Sequence, residues 1–118
     1  MILIVDDDSR NIFALSAVLK AKGYKTISAN AMKDAFRLLD KERAIGMVLM
    51  DMMIPGIDGY EAIKYMKKKE QYRAIPVVAV TAQAMAGDRE KCLKAGADEY
   101  IAKPVDIDSL VSVINRFM

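Results

Sequence analysis

Histidine is absent from the 118-residue chain. Its absence excludes a histidine-based triad, a histidine general base, the usual catalytic zinc sites and a phosphohistidine carried on this chain. Cysteine occurs once, as Cys92, which excludes an internal disulfide and a paired-cysteine redox or zinc motif and fits a reducing compartment. An excess of charge of one sign is also missing. Lys and Arg number 18 against 16 Asp and Glu, a formal charge of +2, which makes no case for direct nucleic-acid binding. No apolar run approaches a membrane span, and residues 1–5 are too short, and too soon followed by acid, for a signal peptide. These absences predict a cytoplasmic protein or domain without membrane contact. Low-complexity tracts, Gly/Ser linkers and internal repeats are lacking as well.

What is there suits one compact domain, residues 1–118, whose 53% hydrophobic content builds a core without disulfide or structural metal. Apolar runs alternate with segments of helical period. Residues 2–5, 47–50 and 76–80 read as strands buried on both faces, and the shorter, more polar 24–29 and 99–102 as edge strands. Ile12, Leu15, Ser16 and Leu19 fall at i, i+3, i+4, i+7, as do Met32, Ala35, Phe36 and Leu39, and Leu110, Val113, Ile114 and Phe117. Gly23 and Gly96 stand where helix C-caps belong, and Asp58 with Glu61 opens a third helix. Five β-α units of this kind imply a parallel sheet with helices on both faces, and such sheets place ligands beyond the carboxyl ends of the strands.

The polar residues at those ends are specific. The first strand ends in Asp6-Asp7-Asp8, the third in Asp51, the fourth in Thr81, and the fifth near Lys103-Pro104. Carboxylates gathered within a few ångströms repel by roughly several kcal/mol unless a cation sits among them. With no histidine or cysteine nearby, an oxygen-only site is implied, for which Mg2+ is the natural ion. Thr81 adds a hydroxyl and Lys103 a point charge, which together suit a transferring phosphoryl group. Taken singly, each residue has a plain reading: Asp8 or Ser9 as a helix N-cap, Asp6 and Asp7 as solvated loop acids, Thr81 as a strand end, Lys103 as surface. Their joint placement at four strand ends favours a site.

On these residues the chain resembles the receiver (response regulator) domain of two-component signalling. The matching pieces are Ile2-Leu3-Ile4-Val5-Asp6-Asp7, then Asp51-Met52-Met53-Ile54-Pro55-Gly56-Ile57-Asp58-Gly59, Val80-Thr81-Ala82, Ala95-Gly96-Ala97-Asp98 and Tyr100-Ile101-Ala102-Lys103-Pro104. The resemblance implies a flavodoxin-like α/β three-layer sandwich of five strands, in order 2-1-3-4-5, with five helices. It implies Asp51 as the phosphoacceptor, attacking a phosphohistidine of a sensor histidine kinase or histidine phosphotransfer domain. Asp7, Asp51 and the backbone carbonyl of Met53 would bind Mg2+ directly, and Asp6 through a water. Thr81 would bond the phosphoryl oxygen, Tyr100 would change rotamer with it, and Lys103 would pair with the phosphoryl charge from a cis Lys103-Pro104 peptide. Output would pass to a partner or effector domain through the face made by the fourth helix, fifth strand and fifth helix, where the small residues between 84 and 95 are easily remodelled. Met53 cannot orient a hydrolytic water whereas Gln83 can, which suggests a phosphoryl group of intermediate or long life.

The run Thr81-Ala82-Gln83-Ala84-Met85 followed by Gly87-Asp88-Arg89 is most similar to receivers of hybrid histidine kinases. A haloacid-dehalogenase-type phosphatase shares the D-x-D of Asp6 and Asp8, but it lacks the Gly-Thr continuation and leaves the segment from Asp51 to Pro55 unexplained. A receiver reduced to a docking module is the other alternative, against which the intact acids, Thr81 and Lys103 argue. Lys67-Lys68-Lys69 with Arg73 reads as a solvated face at a helix C-terminus. Met50, Met52, Met53 and Met66 read as core or loop fillers, and Cys92 as a buried, inert thiol.

Overall fold

The computed structural model describes residues 1–82 and 87–118. Strand and helix alternate along the chain: β1 (Ile2–Val5), α1 (Ser9–Ala21), β2 (Thr26–Ala29), α2 (Met32–Lys41), β3 (Met47–Asp51), α3 (Gly59–Lys68), β4 (Val77–Thr81), α4 (Asp88–Ala95), β5 (Glu99–Ala102) and α5 (Ile107–Phe117). The strands pair in parallel in the order β2-β1-β3-β4-β5, the order the resemblance implies. Every residue of β1, β3 and β4 is buried, so the central strands are the unbroken apolar runs. The edge strands β2 and β5 keep part of their length in solvent.

Alternation along the strands divides the core into two layers. Ile2, Ile4, Met47, Leu49, Val78 and Val80 cluster with Leu19 of α1 and Leu110, Val113 and Ile114 of α5. Leu3, Val5, Val48, Met50, Val77 and Ala79 cluster with buried residues of α2, α3 and α4. Cys92 belongs to the second layer, and burial pushes its thiol pKa up.

Local chemistry fixes the boundaries. Asp8 caps α1 by accepting from the Arg10 amide at 2.9 Å, and Asp58 caps α3 by accepting from Tyr60 and Glu61. Gly96 closes α4 at φ +118°, where an L side chain would be strained. The second strand starts at Thr26 rather than at residue 24, because the Tyr24 amide still closes α1 on the Leu19 carbonyl at 3.0 Å. The fourth starts at Val77 because Pro76 has no N–H to give the ladder. Strands β3 and β4 each run one residue further than the apolar pattern, to Asp51 and Thr81.

The basic run is not one solvated face. Lys68, Lys69 and Arg73 are exposed, but the Lys67 ammonium is turned inward. It lies 2.7 Å from Asp98 Oδ2 and donates to the carbonyls of Ile75 at 2.9 Å and Arg73 at 3.4 Å. The reason is steric as well as electrostatic, since the bare Gly96 lets the Lys67 stem pass where a Cβ would stand 2.8 Å from its Cγ.

Candidate functional site

The sheet register brings the polar strand ends together. Val5 is level with Met50, so Asp6 and Asp51 follow on adjacent rungs of neighbouring strands. Asp51 is level with Val80, Thr81 stands one step beyond it, and Thr81 is level with Ala102, the residue before Lys103. The Lys103 amide donates to the Thr81 carbonyl at 2.8 Å, which carries the β5 end onto β4. The Lys103–Pro104 peptide is cis.

Asp6, Asp7 and Asp51 each offer a carboxylate oxygen, and these three oxygens lie within 4.8 Å of one another. Asp6 and Asp51 are buried, at 3% and 6% exposure, whereas Asp7 is open to solvent. Each buried carboxylate is held by a local amide: Asp6 Oδ1 accepts from Asp8 N at 2.9 Å, and Asp51 Oδ1 from Met53 N at 3.0 Å. Their other oxygens share one cation. Lys103 Nζ lies 3.4 Å from Asp6 Oδ2 and 3.5 Å from Asp51 Oδ2.

One lysine between three acids leaves the cluster negative. Burial raises the pKa of Asp51 above the ordinary carboxylate range, and neighbouring Asp6 adds to the rise, while the Met53 amide and Lys103 work against it. Two carboxylates at this separation repel by roughly 3 kcal/mol at an effective dielectric near 20. The donor set is oxygen only, has two buried members and one solvent-facing member, and carries net negative charge. A hard divalent cation that keeps waters on its open side fits it, and Mg2+ is of that kind.

Of the other site residues, Thr81 is buried beside Asp51, and Met53 is 43% exposed at the rim. Tyr100 is half-buried and donates its hydroxyl to Asp88 Oδ2 at 3.2 Å. Gln83, expected to orient water, lies outside the described residues, as does the small-residue stretch 84–86. A groove of about 450 Å³ beside the acids is lined by Asn11, Leu15, Ala82, Lys103, Pro104 and Val105. On the face of α4, β5 and α5, Glu99 accepts from Arg116 at 2.5 Å and lies 3.9 Å from Arg89. Burial works against that carboxylate, but the Tyr100 amide and then Arg116 hold its pKa below the usual range.

Sequence reasoning missed Asp88. It is a buried acid at the start of α4 that accepts from Tyr60 as well as Tyr100. Asp88, Cys92 and Ala95 sit at i, i+4, i+7 and are the buried residues of that helix, a spacing that would have pointed the acid inward.

Comparison with known proteins agrees with the geometry. The family profile described as the response regulator receiver domain matches residues 2–115. The polar-differentiation response regulator DivK of Brucella ovis is 34% identical over 117 residues, covering 99% of this chain and 94% of that protein. The receiver domain of a sensor histidine kinase from Pseudomonas aeruginosa, solved with a magnesium ion coordinated in its active-site cleft, is 35% identical with a TM-score of 0.86, over 98% of this chain and 94% of that one. The signal receiver domain of a signal transduction histidine kinase from Syntrophus aciditrophicus is 31% identical with a TM-score of 0.87, over 98% and 87%.

Proposed function

The chain belongs to the response regulator receiver domain family, a signalling switch under phosphorylation control rather than a turnover enzyme, and from that premise we propose that Asp51 is its phosphoacceptor. The observation that carries this reading is the placement of Asp51 itself. It is a buried carboxylate at a strand end, with one oxygen anchored on the Met53 amide and the other facing Lys103, and with Asp6 and Asp7 alongside.

The step balances with these groups. An Asp51 oxygen attacks the phosphorus of a phosphohistidine on a kinase or histidine phosphotransfer domain. The O–P bond forms, the P–N bond breaks, and the imidazole leaves and takes up a proton. Lys103, already within 3.5 Å of Asp51, pairs with the charge that arrives, and the Thr81 hydroxyl bonds a phosphoryl oxygen. Asp7, Asp51 and the Met53 carbonyl would hold Mg2+, with Asp6 bound through water. Bound there, the ion supplies neutralisation of the acid–acid repulsion and of the phosphoryl oxygens. Dephosphorylation is attack of water on the same phosphorus, releasing inorganic phosphate and the free carboxylate. The exposed thioether of Met53 offers that water no hydrogen bond, which favours a phosphoryl group of intermediate or long life. On this reading residues 1–118 act as one cytoplasmic receiver unit, Tyr100 turns with Thr81, and the face of α4, β5 and α5 meets the output partner. Receivers of histidine kinases are among the relatives, and the same reading suits such a setting.

Intact mass after incubation with acetyl phosphate tests the proposal. A gain of one phosphoryl group that needs Mg2+ and is missing in Asp51→Asn is the expected result. No gain in the wild type under any condition would leave a docking module, the second reading, or a receiver that takes phosphate only from its own kinase, and a phosphorylated histidine kinase as donor separates the two.

A further inference from the structure

Asp88 lies outside the acidic site, yet its carboxylate is a junction of three elements. Tyr60 of α3 donates its hydroxyl to Oδ1 at 2.6 Å, and Tyr100 of β5 donates to Oδ2 at 3.2 Å. Asp88 itself begins α4 and is 9% exposed. On the outer side the Lys91 ammonium stands 4.4 Å from the Tyr60 ring centroid. The Asp88 bond holds the Tyr60 hydroxyl proton well above the usual tyrosine range.

The two bonds are unequal. A separation of 2.6 Å is that of a strong hydrogen bond to an ionised acceptor, whereas 3.2 Å is long for O–H···O. A buried carboxylate stripped of partners is costly, but this one does not lose both when Tyr100 departs, because Tyr60 stays. Resting on the reading above, in which Tyr100 turns when Asp51 is phosphorylated, we propose that Asp88 is a positioning residue. It clasps Tyr100 in the resting state, and Tyr60, by keeping the carboxylate satisfied, makes the clasp easy to open. The balance between the two tyrosines on Asp88 then biases how readily the switch moves.

The two halves of the clasp have opposite signs, which a merely structural role would not give. Wild type, Asp88→Ala and Tyr60→Phe are incubated with acetyl phosphate and Mg2+, following the initial rate of mass gain and the deuterium uptake of α4 and β5. Asp88→Ala removes this hold on Tyr100, so its phosphorylation is expected to be faster by about three- to ten-fold, with resting α4 uptake raised toward the phosphorylated wild-type level. Tyr60→Phe leaves Tyr100 the one tyrosine on the carboxylate and is expected to slow phosphorylation by about two- to five-fold. If Asp88→Ala fails to fold, Asp88→Asn keeps the side-chain shape, removes the charge and is expected to move in the same direction by less. Both variants shifting the same way, or neither shifting while the wild type gains mass, overturns the clasp alone. A wild type that gains no mass from acetyl phosphate or from a phosphorylated histidine phosphotransfer domain overturns the acceptor reading and the clasp with it.

Discussion

Asp6 and Asp7 are neighbours in sequence and differ in setting. Asp6 is buried, accepts the Asp8 amide and faces Lys103, whereas Asp7 has its carboxylate in solvent. Neutralising Asp7 removes repulsion without stripping any partner from a buried group. Asp7→Asn is therefore expected to raise the stability of the metal-free protein by up to about 1 kcal/mol, a modest gain because solvent already screens that acid. It is also expected to weaken Mg2+ binding by ten-fold or more (roughly 1.4 kcal/mol or more). Urea midpoints in chelator, beside a Mg2+ titration, check both, and a lower metal-free midpoint would contradict the crowding of the three acids. At this scale the site was largely legible, since each of its acids breaks an apolar run at a strand end. Asp88 was not, because a single acid at a helix start reads as an ordinary first-turn charge until its i+4 and i+7 companions are seen to be buried.

Among the elements, the end of α4 is the most constrained by geometry. Gly96 has φ +118°, and a Cβ there would also meet Lys67 Cγ at 2.8 Å, the same lysine whose ammonium ties α3 to Asp98 and to the carbonyl before Pro76. Gly96→Ala is expected to cost about 2–3 kcal/mol, from left-handed backbone strain together with displacement of that lysine. A denaturant midpoint that falls with an unchanged slope is the measurement, and a loss below about 0.5 kcal/mol would deny the contact. The strands were legible because three of them are buried on both faces and carry no polar interruption. Their ends were less so. The start of β2 depends on where the Tyr24 amide bonds, and the Tyr24 hydroxyl is drawn to Asn115 of α5 at 2.7 Å, a partner 91 residues away that local pattern does not reveal. Lys67 was misread for the same reason: its partners belong to loops that only the tertiary fold brings beneath α3.

In the whole molecule, the acids stand at the ends of β1 and β3 and Thr81 at the end of β4, all strands with neighbours on both sides, whereas Tyr100 belongs to the edge strand β5 and Lys103 to the turn after it. The acidic cluster and Thr81 are anchored within the sheet, and Tyr100 and Lys103 lie at its edge. Asp6 and Asp51 follow rungs that pair directly, so the gap between their strands is the repeat of the β-ladder itself, about 4.8 Å. The site thus takes its gauge from the backbone hydrogen bond, a dimension that side-chain packing cannot retune. Leu49, 2% exposed in the middle of β3, illustrates the result: Leu49→Ala is expected to remove about 3 kcal/mol of stability yet leave Mg2+ affinity at 25 °C within about two-fold of wild type, as calorimetric titration and thermal melts of the same variant would show. Such a ruler does not stretch as the protein weakens; it keeps its length until the sheet that carries it comes apart.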